Sequence, residues 1–172
     1  MTLQKRAASA GLAVALAMAV GAARPVSSQD RTFMDQASQI NLAEISLGRY
    51  VQAHATSATA KHLGARYVRD HTQAQASLQA LATRLHVTLP TARGVRHQSM
   101  VARVEGQKGR MLGFTFARVS VRGHRAAIAI FRKEASGGSN PQVKAYAAHY
   151  LPVLWAHLRL AEHAQSAIRV GR

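Results

Sequence analysis

The chain has 172 residues and no cysteine, and its 23 Lys and Arg against 7 Asp and Glu give a formal charge of +16. The missing cysteine excludes a disulfide framework, a thiolate metal site and a cysteine nucleophile. Hydrophobic residues make up 48% of the chain but aromatic residues only 5%, a balance that favours one domain of Ala- and Leu-rich helices over a sheet protein or a disordered chain. The excess of positive charge attracts anionic partners.

The first 28 residues have the pattern of a secretory signal peptide. Lys5 and Arg6 precede an uncharged, mostly apolar run over residues 7–22, and small residues follow it. The run is shorter than the roughly 20 apolar residues of a membrane-spanning helix. We therefore expect cleavage after Ser28 or after Ala23, with export to the periplasm or the medium. The mature protein should have no transmembrane span, and its association with a membrane surface stays open.

Apolar residues in the first half of the mature chain recur at alternating steps of three and four, which predicts helices. The first predicted helix covers residues 32–55, with Thr32 as its N-cap. The second covers residues 58–86. Thr56 or Ser57 can serve as its N-cap, and Pro90 forbids an easy continuation beyond its end.

The second half repeats this arrangement. Helices are predicted over residues 112–136 and 141–168, separated by the glycine pair at 137–138 and by Asn140, which is a suitable N-cap. Pro152 lies inside the last helix and predicts either a kink or a tolerated loss of one backbone hydrogen bond.

A connection rich in Gly and Arg, residues 91–110, joins the two halves. Met100, Val101 and Val104 could form a short amphipathic helix within it. Two tight helical hairpins joined by one long crossover between the second and third helices predict an all-α, ferritin-like four-helix bundle, with one domain over residues 30–170.

Each predicted helix carries one ionisable residue in its apolar stripe: Glu44, His71, His124 and His157. Carboxylate and imidazole groups that meet inside a bundle are how such folds build metal sites. These four residues, with Asp70 behind them, therefore predict a site for a divalent or iron ion. The alternative is a hydrogen-bonded polar layer that sets helix register. The Glu-x-x-His spacing of diiron bundles is absent.

Counted from the hairpin turns, Glu44 and His71 both lie about 20 Å along their helices, whereas His124 and His157 differ by about one helical turn. The first pair is therefore predicted to be level, and a kink at Pro152 would absorb part of the difference in the second.

Several of these positions together resemble the exported bacterial family called domain of unknown function 4142, over about residues 30–168. The resemblance implies a ferritin-like bundle behind a signal peptide, in proteins labelled as periplasmic or outer-membrane, with no established activity. The matching positions are Phe33, Ala43-Glu44, Asp70-His71, Leu89-Pro90, His124, Leu151-Pro152, His157-Leu158 and Ala161.

The third predicted helix departs from the family pattern. The family usually has Phe-Asp, then Tyr, then Asp-His, where this chain has Phe114-Thr115, Arg118 and Gly123-His124. If the family's acids help to hold a cation, this member should bind it more weakly.

Residues 91–133 combine many basic side chains with a single acid, Glu105, and predict a face that attracts anionic envelope components. No interleaved aromatics suit a nucleic-acid strand, and neither a Gly-x-Ser-x-Gly elbow nor a phosphate-binding loop occurs. The sequence thus favours an exported, non-catalytic envelope protein, with a metal-binding or oxidase-like bundle as the alternative; its oligomeric state is left open. The basic residues are Arg93, Arg96, Arg103, Lys108, Arg110, Arg118, Arg122, Arg125, Arg132 and Lys133.

Overall fold

The computed structural model describes residues 24–169, and within them it contains five helices and no strand. The predicted all-helical class is confirmed. Beside the four long helices, the crossover contains a regular helix of its own, which includes Met100, Val101 and Val104 of the short amphipathic helix considered there. The predicted signal peptide falls mostly on residues 1–23, outside the described residues. The helices are α1 (Ser28–His54), α2 (Ala58–Arg84), α3 (Val95–Glu105), α4 (Gly109–Gly137) and α5 (Pro141–Arg169).

Helix α1 begins at Ser28 and not at the predicted Thr32. Ser27 and Asp30 form a reciprocal capping box, in which the Ser27 hydroxyl accepts from the Asp30 amide at 3.2 Å and the Asp30 carboxylate accepts from the Ser27 amide at 2.7 Å. The Thr32 hydroxyl instead donates to the Ser28 carbonyl. This start was not predicted, because Ser27 and Ser28 fall within the predicted signal peptide.

The turn between α4 and α5 is fastened to the start of α1. Asp30 also accepts hydrogen bonds from the backbone amides of Ser139 (2.9 Å) and Asn140 (3.3 Å). As predicted, Asn140 caps α5, since its side-chain oxygen accepts from the Gln142 amide at 2.9 Å. One buried carboxylate therefore joins three of the four long helices.

The four long helices pack side by side in the order α1, α2, α5, α4, and α4 closes the ring against α1. Helix α3 lies across α1 and α4 and buries Val101 and Val104. Helix α5 continues through Pro152, so the missing backbone hydrogen bond is tolerated. None of the described helices is long and apolar enough to cross a membrane.

Helices α1 and α2 touch through their backbones at Gly48 and Gly64. A Cβ atom added to Gly48 would lie 2.6 Å from the Gly64 carbonyl oxygen, and one added to Gly64 would lie 2.8 Å from the Gly48 carbonyl oxygen. Both distances are too short for a real Cβ contact. This hairpin therefore requires glycine at both positions.

Candidate metal centre

One polar layer crosses the core at mid-height, with a side chain from each long helix. Glu44, His71, His124 and His157 are exposed by only 4%, 3%, 2% and 0%. The three histidines each offer one ring nitrogen to a common centre, and these nitrogens lie within 4.8 Å of one another. The Tyr67 ring packs against this group, with its centroid 4.8 Å from that of His124 and 4.7 Å from that of His157.

The one-turn difference in height between His124 and His157 does not keep their side chains apart, because their facing nitrogens, Nε2 and Nδ1, are only 3.3 Å apart. Helical side chains lean toward the N-terminus of their own helix. His124 therefore leans away from the α4–α5 turn, and His157 leans back toward it. These opposite leans bring together two residues whose backbone positions differ by about one turn.

The two facing nitrogens both present lone pairs. His124 Nδ1 lies 2.9 Å from the Ser120 carbonyl oxygen, which can only accept, so the ring proton sits on Nδ1. His157 Nε2 lies 2.9 Å from the Asp70 carboxylate, which places the His157 proton on Nε2. With both rings neutral, His124 Nε2 and His157 Nδ1 face each other without a proton between them.

A chain of hydrogen bonds fixes the tautomer of His71 in the same way. It starts at the Pro90 carbonyl, which can only accept and takes the Ser38 hydroxyl proton at 3.2 Å. Ser38 then accepts from Gln75 Nε2 at 3.0 Å, and Gln75 Oε1 accepts from Asn41 Nδ2 at 3.2 Å. Asn41 Oδ1 is left to accept from His71 Nδ1 at 2.9 Å. His71 Nε2 consequently carries a lone pair and no proton, and it has no hydrogen-bond partner among the described residues.

Protonation does not change this arrangement, because the pKa values of the three histidines are lowered. Burial lowers the pKa of His71 well below its usual value, helped by the nearby His157 and His124. Burial likewise lowers the pKa of His124 to about 3. Burial also lowers the pKa of His157, even though Asp70 acts in the opposite direction. All three rings are therefore neutral at pH 7, the form in which imidazole binds a metal.

Glu44 lies in the same layer but outside the group of ring nitrogens that converge. Its Oε2 atom is buried without a hydrogen-bond partner, and burial raises its pKa to about 8. Its Oε1 atom lies beside Gly123, where an added Cβ would be 3.7 Å away. Within residues 24–169, the group of possible ligands that meet at one point consists of the three histidines alone.

Asp70 lies at the outer edge of the layer, where it orients His157. It also accepts from Arg66 Nε at 2.5 Å and from Arg69 Nε at 3.0 Å. Burial alone would raise its pKa, but the hydrogen bonds from His157 and the two arginines lower the pKa below its usual value. The carboxylate is thus ionised and held in place, as expected of a group behind a metal-binding histidine.

A small cavity of about 10 Å³ lies beside His71 and His157, lined also by Ile40, Phe131 and Leu154. This is close to the space that one water molecule occupies.

Four further residues of the layer were not predicted as part of the site: Ser38, Asn41, Gln75 and Tyr67. Asn41 precedes Glu44 by three residues, and Gln75 follows His71 by four, so each shares a helix face with a predicted ligand. Polar residues at such spacing beside a buried histidine are candidates for orienting it.

The ten predicted anion-binding residues divide by their contacts. Arg93 donates to Ser46, Arg110 to the last carbonyls of α5, and Arg125 to Glu162. Three others, Arg96, Arg103 and Arg122, line a larger cavity beside α3. The remaining four, Lys108, Arg118, Arg132 and Lys133, are exposed.

The sequence is similar to a protein family, and the fold is similar to that of solved structures. The model of the family described as "Domain of unknown function (DUF4142)" matches residues 15–164. A crystal structure of a DUF305 fragment from Deinococcus radiodurans superposes with a TM-score of 0.74 at 15% identity, covering 83% of this chain and 99% of that one. A DUF305 protein from Streptomyces coelicolor, described as a candidate secreted protein, superposes with a TM-score of 0.69 at 8% identity, covering 82% of this chain and 94% of that one. No curated protein matches the sequence.

Proposed function

The chain belongs to the DUF4142 family, and we propose that this member binds one transition-metal ion through His71, His124 and His157. The observation that carries the proposal is that one ring nitrogen from each of three buried histidines lies within 4.8 Å of the other two. The other nitrogen of each ring is held by an acceptor: Asn41, the Ser120 carbonyl or Asp70. Outer hydrogen bonds of this kind fix the tautomer and direction of metal-binding histidines. A purely structural polar layer would leave no set of lone pairs facing one another.

The donor set favours Zn²⁺ or copper. Imidazole nitrogens suit these ions, and three histidines with one open position form a familiar zinc arrangement. Metal–nitrogen bonds of about 2.0–2.1 Å place two ligands of a tetrahedral ion about 3.4 Å apart. The 3.3 Å between His124 Nε2 and His157 Nδ1 already fits this spacing, so only His71 needs to move inward. Iron is the weaker candidate because the layer offers one carboxyl group, where diiron bundles use four.

Glu44 balances the charge of the ion in this proposal. Three neutral imidazoles leave a divalent ion with its full charge in the core, which is costly without a counter-ion. Glu44 is the buried carboxyl group of the layer, and one of its oxygens has no partner. A bound cation favours its ionised form, so metal uptake at neutral pH should release a proton.

Elemental analysis of protein purified without chelator or affinity-tag metal tests the proposal. After incubation with one equivalent of Zn²⁺ or Cu²⁺ and gel filtration, the wild type should retain about one ion per chain. His71→Ala and His124→Ala should retain far less. His62→Ala is the matched control, since His62 is an exposed histidine on the same helix as His71. Equal metal retention by the wild type, His71→Ala and His124→Ala would refute this metal site.

The packing order of the helices supports a ferritin-like topology for the bundle. The hairpin of α1 and α2 is joined to that of α4 and α5 by one long crossover that contains α3. This is the arrangement in which bundle-core metal sites are commonly built.

Export behind a signal peptide also belongs to the proposal, and contacts at the start of α1 favour one cleavage position. Cleavage after Ser28 would remove Ser27, which caps α1. Cleavage after Ala23 would keep that cap and the Arg24 carbonyl, which accepts from Asn140 Nδ2 at 2.6 Å. N-terminal sequencing of the exported protein should therefore begin at Arg24; a start at Gln29 would contradict this.

A second, non-catalytic role is attraction to anionic envelope components. Eight of the ten predicted basic residues form no ion pair within residues 24–169 and are exposed. Binding to vesicles that contain phosphatidylglycerol should weaken steeply as salt rises, because exposed charges are screened over about 8 Å at physiological ionic strength. Binding that does not change with salt would refute the electrostatic basis.

A further inference from the structure

A second cavity, of about 540 Å³, lies between α1, α3 and α4, on the side of α4 that the crossover helix covers. Its walls are mostly apolar and include Ile40, Met100, Val119, Ala127 and Ile130. This volume is typical of sites that hold small organic ligands, which bind mainly against apolar side chains with a few polar groups to orient them. None of the three layer histidines lines it, so it is separate from the candidate metal centre.

Three arginines, Arg96, Arg103 and Arg122, line the same cavity. None of them forms an ion pair within the part of the chain that the structure describes. His97 also lines the cavity, and its Nδ1 atom is buried without a hydrogen-bond partner. Three like charges gathered around an apolar space repel one another, and an anionic group bound among them would relieve that repulsion.

We propose that this cavity binds a single-chain anionic amphiphile, of the chemical class of a long-chain fatty carboxylate. The alkyl chain would lie against the apolar wall formed by α1 and α4. The carboxylate would accept hydrogen bonds from the guanidinium groups, whose fork geometry matches it. A small anion alone would leave the apolar wall exposed to water, and a neutral lipid would leave the three arginines unpaired.

Calorimetric titration with palmitate below its aggregation concentration tests this proposal on the metal-free full chain. We expect one palmitate per chain. Binding of hexadecanol, which has the same chain without the charge, should be about tenfold weaker or more, since a charge-assisted hydrogen bond contributes roughly that much. Acetate should not bind. Equal binding of palmitate and hexadecanol would overturn the proposal, and so would no binding of palmitate.

Two pairs of variants locate the site. Ala126 lines the cavity and is exposed on α4, so Ala126→Trp should fill the cavity from a position outside the core; Ala129→Trp, at another exposed position on α4, is its control. Ala126→Trp should abolish palmitate binding and Ala129→Trp should not. Arg103→Ala with Arg122→Ala should weaken binding about tenfold or more, whereas Arg118→Ala with Arg132→Ala should not.

Circular dichroism of each variant establishes that it is folded before its binding is compared. If folded Ala126→Trp bound palmitate as well as Ala129→Trp does, the ligand would lie elsewhere and the proposal would be wrong. Palmitate binding is measured without metal, so its outcome is independent of whether the histidine layer binds an ion.

Discussion

The chemistry of the layer depends on where single protons lie. His71 can direct a lone pair inward only because Asn41 Oδ1 accepts the proton on its other nitrogen. Gln75 and Ser38 orient Asn41 in turn. The chain of hydrogen bonds ends at the Pro90 carbonyl, which can only accept. At this scale the sequence identified the buried ionisable residues but not the residues that orient them. Periodicity indicates which side chains face inward, whereas hydrogen-bond direction depends on contacts between helices.

Replacing Asn41 tests this chain of hydrogen bonds. Asn41→Leu removes the acceptor for His71 Nδ1, so the ring is free to turn or to change tautomer. Metal affinity should fall by roughly 10- to 100-fold, the usual cost of losing such a partner. Competition with a chromophoric chelator measures it. Gln73→Leu, an exposed change on α2, is the control. An unchanged metal affinity in Asn41→Leu would show that this chain of hydrogen bonds does not orient His71.

The helices themselves were predicted well where local signals decide them. The spacing of apolar residues predicted all four long helices, and Ser57 and Asn140 cap α2 and α5 as expected. The start of α1 was wrong because its capping box overlaps the predicted signal peptide. The contact of Gly48 with Gly64 could not be predicted, since a glycine in a helical sequence does not reveal which backbone it touches.

Gly64→Ala should destabilise the fold. An alanine in a helix is normally preferred over glycine by about 1 kcal/mol, but here the new methyl group meets the Gly48 carbonyl. We expect a net loss of roughly 1–3 kcal/mol in the free energy of unfolding, measured by urea denaturation. Gly123→Ala is the matched control, because its nearest contact would be an ordinary 3.7 Å. Equal stability changes in the two variants would contradict the backbone contact.

The junction between α1 and the α4–α5 turn should make stability depend on pH. Burial and a hydrogen bond to Asp30 raise the pKa of Glu134 to about 7. Its protonated form is favoured in the fold, so its contribution is complete below about pH 4.5 and is lost as the pH rises through about 7. The loss should be on the order of 1 kcal/mol. In chemical denaturation from pH 5 to 8, the stability of the wild type should fall relative to that of Glu134→Gln as the pH rises, because the other titrating groups are common to both proteins; parallel profiles would contradict it.

At the scale of the whole molecule, the same bundle combines two sites of different chemistry. The histidine layer lies in the core among all four long helices, and the arginine-lined cavity lies under the crossover helix. Fold class could be predicted from composition and periodicity. The larger cavity could not be predicted. It forms where α3 packs against α1 and α4, and the sequence pattern does not indicate where the crossover helix packs.

Metal binding should stabilise the whole bundle, because its ligands come from three helices. An ion at 100 times its dissociation constant adds about 2.7 kcal/mol to the free energy of unfolding. Thermal denaturation with and without Zn²⁺ should therefore show a higher Tm for the loaded wild type and little change for His157→Ala. A similar rise in both proteins would indicate binding at exposed histidines.

Anomalous diffraction at the zinc edge, from crystals grown with one equivalent of Zn²⁺, shows whether His71, His124 and His157 hold one metal ion in the core. We expect one strong anomalous peak about 2.0–2.1 Å from a nitrogen of each ring. A layer without such a peak, with anomalous signal only at exposed histidines such as His62 or His163, would contradict it.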